Sequence, residues 1–338
     1  MKPQTAINNH QFSLNSNERS RLWEERRRHF KDYCVNRYQW YNYPKWQYVA
    51  DFPLHVDFEA SSRCNLKCPM CFRPHLSNQD HGDLDFDLYV SAIHECSKND
   101  LYSIRLSWRG ESTLHPQLIE MIAFAKETGI KEVSFLTNGS NLTPEYSREL
   151  VKAGLDYLTV SVDGLAHHYD KLRSPLKFDK ITENIATLYR IKEEAEGFPL
   201  VKIQGIWTYI EEDSSEYYDH FAPITDNISF NPLHDYSKTV TEQEDNFSCQ
   251  YPWQRITVAY DGSVPMCISD WDGTNIIGHI GQSSIKEIWH GEAMAELRST
   301  HMSGNRLNKY SACRCCQRPF APQIGDIPEG RGEAYAKN

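Results

Sequence analysis

A chain of 338 residues with 40% hydrophobic content is long enough for one large core, or for one core and a satellite domain. Its formal net charge of -10 and pI near 5.8 argue against sequence-independent binding to nucleic acid, which needs a basic surface to displace phosphate counterions, and favour a small-molecule or peptide substrate. No run of about 18 apolar residues occurs and the first twenty positions are polar, so neither a membrane span nor a secretion signal is expected and a cytoplasmic location follows.

Residues 1–16, rich in Asn, Gln and Ser, read as disordered, and Glu18 to Lys31 as a charged helix whose Arg26-Arg27-Arg28 run is a solvated face. From Tyr33 to Tyr48 the chain is crowded with Tyr and Trp, and a packing strap across the domain is expected. A regular alternation follows. Strand-like runs at Leu54–Phe58, Ser103–Ser107, Glu132–Leu136, Tyr157–Ser161, Val201–Trp207 and Asn227–Phe230 are separated by helical periodicity, as at Phe86–Lys98, Pro116–Thr128 and Asp179–Glu194. Six such units predict an α/β fold with a parallel sheet, a partial (β/α)6 barrel rather than a closed eight-stranded one.

Functional loops of such sheets lie beyond the carboxyl ends of the strands. After the first strand comes Ser62-Arg63-Cys64-Asn65-Leu66-Lys67-Cys68-Pro69-Met70-Cys71. Arg109-Gly110-Glu111-Ser112 follows the second strand, Thr137-Asn138-Gly139 the third and Ser161-Val162-Asp163-Gly164 the fourth. Ten cysteines in tight groups, in a reducing compartment, read as metal ligands rather than disulfides. Three and two residues separate Cys64, Cys68 and Cys71, so one loop can wrap three thiolates around a face of a four-iron cluster and leave one iron open for a substrate. The competing reading is a zinc site one ligand short, although zinc loops favour two-cysteine pairs with a distant partner pair.

The Cys-x3-Cys-x2-Cys loop after the first strand of a βα series resembles the signature of the radical S-adenosylmethionine (SAM) superfamily. Met70 stands where members often have an aromatic residue, a departure that leaves ligation undisturbed. The resemblance implies a SAM-binding [4Fe-4S] cluster on Cys64, Cys68 and Cys71. One-electron reduction cleaves SAM there to a 5′-deoxyadenosyl radical, which abstracts a substrate hydrogen; flavodoxin or ferredoxin is the implied reducing partner. It also implies SAM contacts. Gly110 and Glu111 match the second Gly and the Glu of the family's Gly-Gly-Glu stretch, with Arg109 in place of the first Gly. Asn138 and Ser161 stand where members contact the ribose, and Arg173 resembles the arginine that pairs with SAM's carboxylate. Taken singly, Thr137-Asn138-Gly139 and Asp163-Gly164 also read as turns, and Arg173 as an ion-pair partner.

A second cysteine group lies beyond the barrel. Seventeen residues separate Cys249 from Cys267, with a predicted hairpin through Tyr260-Asp261-Gly262-Ser263, and Cys313 and Cys316 form a Cys-x2-Cys pair. Such a four-thiolate site can hold an iron–sulfur cluster or a structural zinc. Cys315, between the last two, is able to replace either or remain a free thiol; Cys34 and Cys96 read as buried or incidental thiols. With Ile277-Gly278-His279-Ile280 and Ser284-Ile285-Lys286-Glu287-Ile288-Trp289, the region resembles the SPASM-type auxiliary-cluster domain. Since no cysteine follows Cys316, the shorter, single-cluster "twitch" arrangement is the better match. The resemblance thus implies a second, auxiliary [4Fe-4S] cluster in a small C-terminal α+β domain. The organisation expected is a polar and helical extension over 1–50, the barrel over 51–235, the auxiliary domain over 236–325 and a tail over 326–338.

A fully ligated auxiliary cluster cannot bind substrate without losing a thiolate, so its natural role is electron exchange. That favours oxidative modification, foremost dehydrogenation of a small polar metabolite. The alternatives are a peptide maturase forming crosslinks or epimerising a residue, for which Cys315 is a conceivable hydrogen donor, and a non-catalytic metal-stabilised binding protein. Peptide-modifying members often carry an N-terminal recognition domain, and the segment before the first strand is too short for a full one, which tilts the reading toward a metabolite. His75, His115, Tyr209 and His234 receive no role from side-chain type alone.

Overall fold

The computed structural model describes residues 12–13, 29–76, 81–195, 197–234 and 249–316. The expectations for most of 1–28, including the Arg26-Arg27-Arg28 run, and for the tail over 326–338 lie outside the described residues. The six expected strands are present as β2 (His55–Phe58), β3 (Ser103–Arg105), β4 (Glu132–Thr137), β5 (Tyr157–Ser161), β6 (Leu200–Ile206) and β7 (Asn227–Asn231), each parallel to the next in chain order. The short strand β1 (Phe12–Ser13) pairs antiparallel with β7 at one edge. At the other edge, β8 (Arg255–Val258) pairs parallel with β2, so a strand from the C-terminal region completes the eight-stranded sheet.

Alternation along the strands explains why they were legible. Val56, Phe58, Ile104, Phe135, Val160 and Ile203 are fully buried on one face and belong to the core formed with the connecting helices. Their neighbours on the other face are polar, among them His55, Asp57, Ser103, Thr159, Asn227 and Ser229, all buried. The helices are α2 (Phe86–Lys98), α3 (Leu118–Glu127), α4 (Pro144–Lys152), α5 (Ala166–Leu172), α6 (Phe178–Glu194) and α7 (Ser214–Phe221). Local chemistry starts several of them: the Asp85 carboxylate caps α2 by accepting from Leu88 N, and Thr143 caps α4 ahead of Pro144.

The Tyr- and Trp-rich segment expected as a strap is a 17-residue helix, α1 (Phe30–Trp46). Its aromatic residues fall on all sides rather than along one stripe: Asn36 and Pro44 are buried, whereas Tyr38, Tyr41 and Trp46 are exposed. It docks through the buried Asn36, whose amide donates to Leu54 O, and through Gln254, which donates to Trp40 O.

The C-terminal region turns from β8 through Tyr260-Asp261-Gly262, with Gly262 at φ +84°, into β9 (Ser263–Pro265), which pairs antiparallel with β10 (Ile276–His279). Helices α8 (Ile285–His290), α9 (Glu292–Met302), α10 (Arg306–Lys309) and α11 (Ser311–Arg314) complete a small α+β unit. Ser284 and Glu287 form a reciprocal capping box at the start of α8, and Glu95 of α2 accepts from Ile285 N and Lys286 N, fastening this unit to the barrel helices. Trp289 is fully buried and donates to Ala50 O.

Candidate functional site

The cysteine loop leaves the carboxyl end of β2 and is pinned from three sides. Arg63 donates to Asp83 and to Leu114 O, and Glu111 N donates to Arg63 O at 2.7 Å. Asn65 links the loop to the β4 end, accepting from Asn138 Nδ2 at 2.8 Å and donating to Ser140 Oγ at 2.9 Å. A turn within the loop, Cys71 N to Cys68 O at 3.1 Å, brings its last two cysteines around a single bend. All three thiols are half-buried. Burial pushes Cys68 up to about 11, with Cys71 and Cys64 adding to the rise and Arg173 opposing it; burial also raises Cys64. Thiols that resist ionisation alone yet sense one another's charge are suited to a shared cationic centre, which takes the thiolate form.

Gly110 is required by close packing: a Cβ there would lie 2.1 Å from Ser61 O and 2.6 Å from Arg63 O. Arg109 does not enter the cysteine loop. Its guanidinium grips Glu59, with Nε to Oε1 at 2.9 Å and Nη2 to Oε2 at 2.6 Å, and also donates to Trp271 O in the C-terminal unit. Glu111 is buried and its carboxylate accepts from Thr113 N and Oγ1, Thr137 Oγ1 and Asn138 N. Burial raises its pKa against the pull of those bonds. It therefore braces the β3 loop against the β4 loop. Asn138 is buried, its Oδ1 accepting from Ser140 N. Ser161 ends β5 beside Gln204 of β6. Arg173 donates from Nε to Asp163 Oδ2 at 2.7 Å, and Asp163 Oδ1 accepts from Ile206 N. His115 is structural, spanning Leu84 O and Gln117 N.

In the C-terminal unit, Cys249, Cys267, Cys313 and Cys316 line one cavity; Cys315 is not among its lining residues. Its walls are otherwise largely apolar, with Tyr251, Pro252, Met266, Leu297 and Ala312, and its remaining polar members are Ser269, His301 and Arg306. Burial pushes Cys313 up to about 12, with Cys249 and Cys316 adding and Arg306 opposing, and drives Cys267 well above the ordinary thiol range. His301, buried, lies with Nε2 4.0 Å from Cys313 Sγ and is held down to about 4 by burial and then by Arg306. Cys96 is buried, as read; Cys34 is exposed on α1.

Among the described residues, the ligand atoms that all lie within 4.8 Å of one another belong to His167, His168 and Asp213, not to any three of the cysteines. The two cysteine regions touch. Phe72, next to Cys71, stacks on Trp271 with ring centroids 5.2 Å apart, and Trp108 Nε1 donates to Ile268 O beside Cys267.

A cysteine loop at the carboxyl end of a parallel α/β sheet, with a separate α+β unit presenting four more thiols, defines an iron–sulfur type of barrel protein. The chain carries a radical SAM superfamily domain over residues 58–195, followed by a SPASM iron–sulfur cluster-binding domain over residues 249–317. It is 37% identical over 112 residues to the tungsten-containing aldehyde ferredoxin oxidoreductase cofactor-modifying protein of Pyrococcus furiosus, a match covering 33% of this chain and 31% of that relative. It is 24% identical over 264 residues to the S-adenosyl-L-methionine-dependent 2-deoxy-scyllo-inosamine dehydrogenase of Niallia circulans, covering 77% of this chain and 91% of that protein. The chain spans only about a third of the length of curated relatives such as the first. Among solved structures, SuiB of Streptococcus suis bound to S-adenosylmethionine superposes with a TM-score of 0.58 at 14% identity, over 83% of this chain and 75% of that one, a likeness of fold. Among the described residues, no helix is long and apolar enough to cross a membrane.

That Glu111 braces Thr113 and Thr137, and that His301 and Arg306 neighbour Cys313, carried no signal in the sequence. Glu59 and Asp163 at strand ends were within reach of the rule that selects such positions.

Proposed function

We propose that this protein is a radical SAM oxidoreductase that dehydrogenates a small polar metabolite. The observation that carries this reading is the pair of thiol sets, three on the loop after β2 and four around one cavity, in contact through Phe72 and Trp271. When bound, a four-iron cluster and SAM supply a 5′-deoxyadenosyl radical that removes a hydrogen atom from the substrate.

Cys64, Cys68 and Cys71 would hold that cluster, and Cys249, Cys267, Cys313 and Cys316, which line one cavity, an auxiliary [4Fe-4S] cluster. Gly110, Glu111, Asn138, Ser161 and Arg173 would line the SAM site. Glu111 acts there by holding the β3 and β4 loops in register, and Asp163 by orienting Arg173. The auxiliary thiols suit a centre that would take one electron from the substrate radical as it loses a proton, since a centre with four protein ligands has no vacant position for substrate. The inosamine dehydrogenase relative, aligned over most of both chains, supports a metabolite over a peptide. Flavodoxin or ferredoxin as electron donor, in the cytoplasm, completes the proposal.

Iron, sulfide and zinc in anaerobically purified protein, compared with a variant carrying Cys64→Ala, Cys68→Ala and Cys71→Ala, test it first. About eight irons in the parent and about four in the variant are expected, with 5′-deoxyadenosine released only by the parent. No iron in either would sink the reading, and a product of unchanged oxidation state carrying a solvent hydrogen would exclude dehydrogenation.

A further inference from the structure

We infer that His301 tunes the auxiliary centre: its imidazole N–H donates to the Cys313 thiolate and, together with the Arg306 guanidinium, favours the electron-rich state of a cluster held by Cys249, Cys267, Cys313 and Cys316. This rests on the reading of that site as an iron–sulfur centre.

His301 sits in the last turn of α9, 5% exposed, and Arg306 opens α10, 3% exposed. Both line the cavity that the four cysteines share. The imidazole Nε2 is 4.0 Å from Cys313 Sγ, whereas Nδ1 is buried with no hydrogen-bond partner among the described residues. A buried histidine that leaves one nitrogen orphaned is not there to satisfy the surrounding protein, because an unmade hydrogen bond in an apolar setting is costly. Among the described residues, its side-chain hydrogen-bond contact is the thiol. A metal-bound thiolate has lost its proton and accepts only, so the shared hydrogen must be on Nε2. Arg306 lines the same cavity and acts to favour the Cys313 thiolate, so a second positive group faces this cysteine.

The consequence is electrostatic. Four thiolates around the cluster give it a net negative charge, and each added electron increases that charge within walls made by Pro252, Met266, Leu297 and Ala312. In such surroundings hydrogen bonds to sulfur and a nearby cation offset more of the cost than they would in water, and so raise the reduction potential. A higher potential is what a centre needs to take an electron from a substrate radical.

The test is an EPR-monitored reductive titration, with dithionite, of the full chain carrying both clusters. The auxiliary signal is the one unchanged by adding SAM. His301→Phe fills the space without a donor, and His301→Gln keeps an N–H. The expected result is unchanged iron in His301→Phe, with one-electron reduction of the auxiliary centre about tenfold less favourable, a midpoint about 59 mV lower, and His301→Gln near the parent. A parent-like midpoint in His301→Phe overturns the inference. If that variant loses iron, His301→Gln decides: parent-like iron and midpoint support the donor role, and loss there too makes His301 a ligand or packing residue. Zinc, or a single cluster's iron, in the parent itself defeats the underlying reading and the inference with it.

Discussion

Gly110 faces three backbone atoms of the cysteine loop closer than any Cβ can approach, and the loop's carbonyls cannot yield as a flexible side chain would. Gly110→Ala is expected to cost about 1–3 kcal/mol and to displace Cys64. The urea midpoint reads the first effect and iron content the second. His55 makes a pH prediction. Burial, reinforced by Arg255, lowers its pKa to about 4, so the folded protein keeps it neutral while the unfolded chain protonates it near 6.5. The unfolded state therefore binds the extra proton, and stability falls as pH drops from about 6.5 toward about 4. His55→Gln, which does not titrate, should flatten that decline by up to about 3 kcal/mol. Anaerobic urea melts at pH 7, 6 and 5 check it, and parallel curves for parent and variant would show that His55 does not titrate in this window.

Strand β8 joins the barrel through charge as well as backbone pairing. Asp57 of β2 is fully buried beneath Arg105 of β3 and Arg255 of β8; burial alone would raise its pKa, and the two guanidinium groups more than reverse this, holding it well below the usual carboxylate range. Arg255 donates to it from Nε at 2.7 Å. Removing one member of a buried group leaves the others undercompensated, so Arg255→Leu is expected to cost about 3 kcal/mol. Hydrogen exchange should quicken first in the β8 amides that pair with β2, and uniform quickening across the sheet would instead mean global destabilisation. The same element scale explains α1: its aromatic residues go all round the helix, so periodicity gave no apolar face by which to recognise it.

Across the whole molecule, the barrel and the C-terminal unit meet at the two cysteine regions. The Phe72–Trp271 stack, the Trp108 bond to Ile268 O and the Arg109 bond to Trp271 O fix one loop against the other. An aromatic pair contributes only about 1 kcal/mol, so Trp271→Ala should fold and keep its iron. Its expected defect is coupling: more 5′-deoxyadenosine released per product formed, measured by liquid chromatography of both in one reaction. An unchanged ratio would limit the stack to packing.

The sequence by itself determined the six parallel strands, because Val56/Asp57/Phe58 and Ile228/Ser229/Phe230 alternate within a few residues. It also determined the cysteine loop, because the spacing of Cys64, Cys68 and Cys71 is covalent and needs no knowledge of the rest of the chain. Only the tertiary structure decided that β8 returns to β2, that Glu111 braces two loops, and that His301 lies against Cys313. Those contacts join residues up to about two hundred positions apart. They depend on the path by which the chain comes back on itself, and that path is set by burial summed over the whole core rather than by any local pattern.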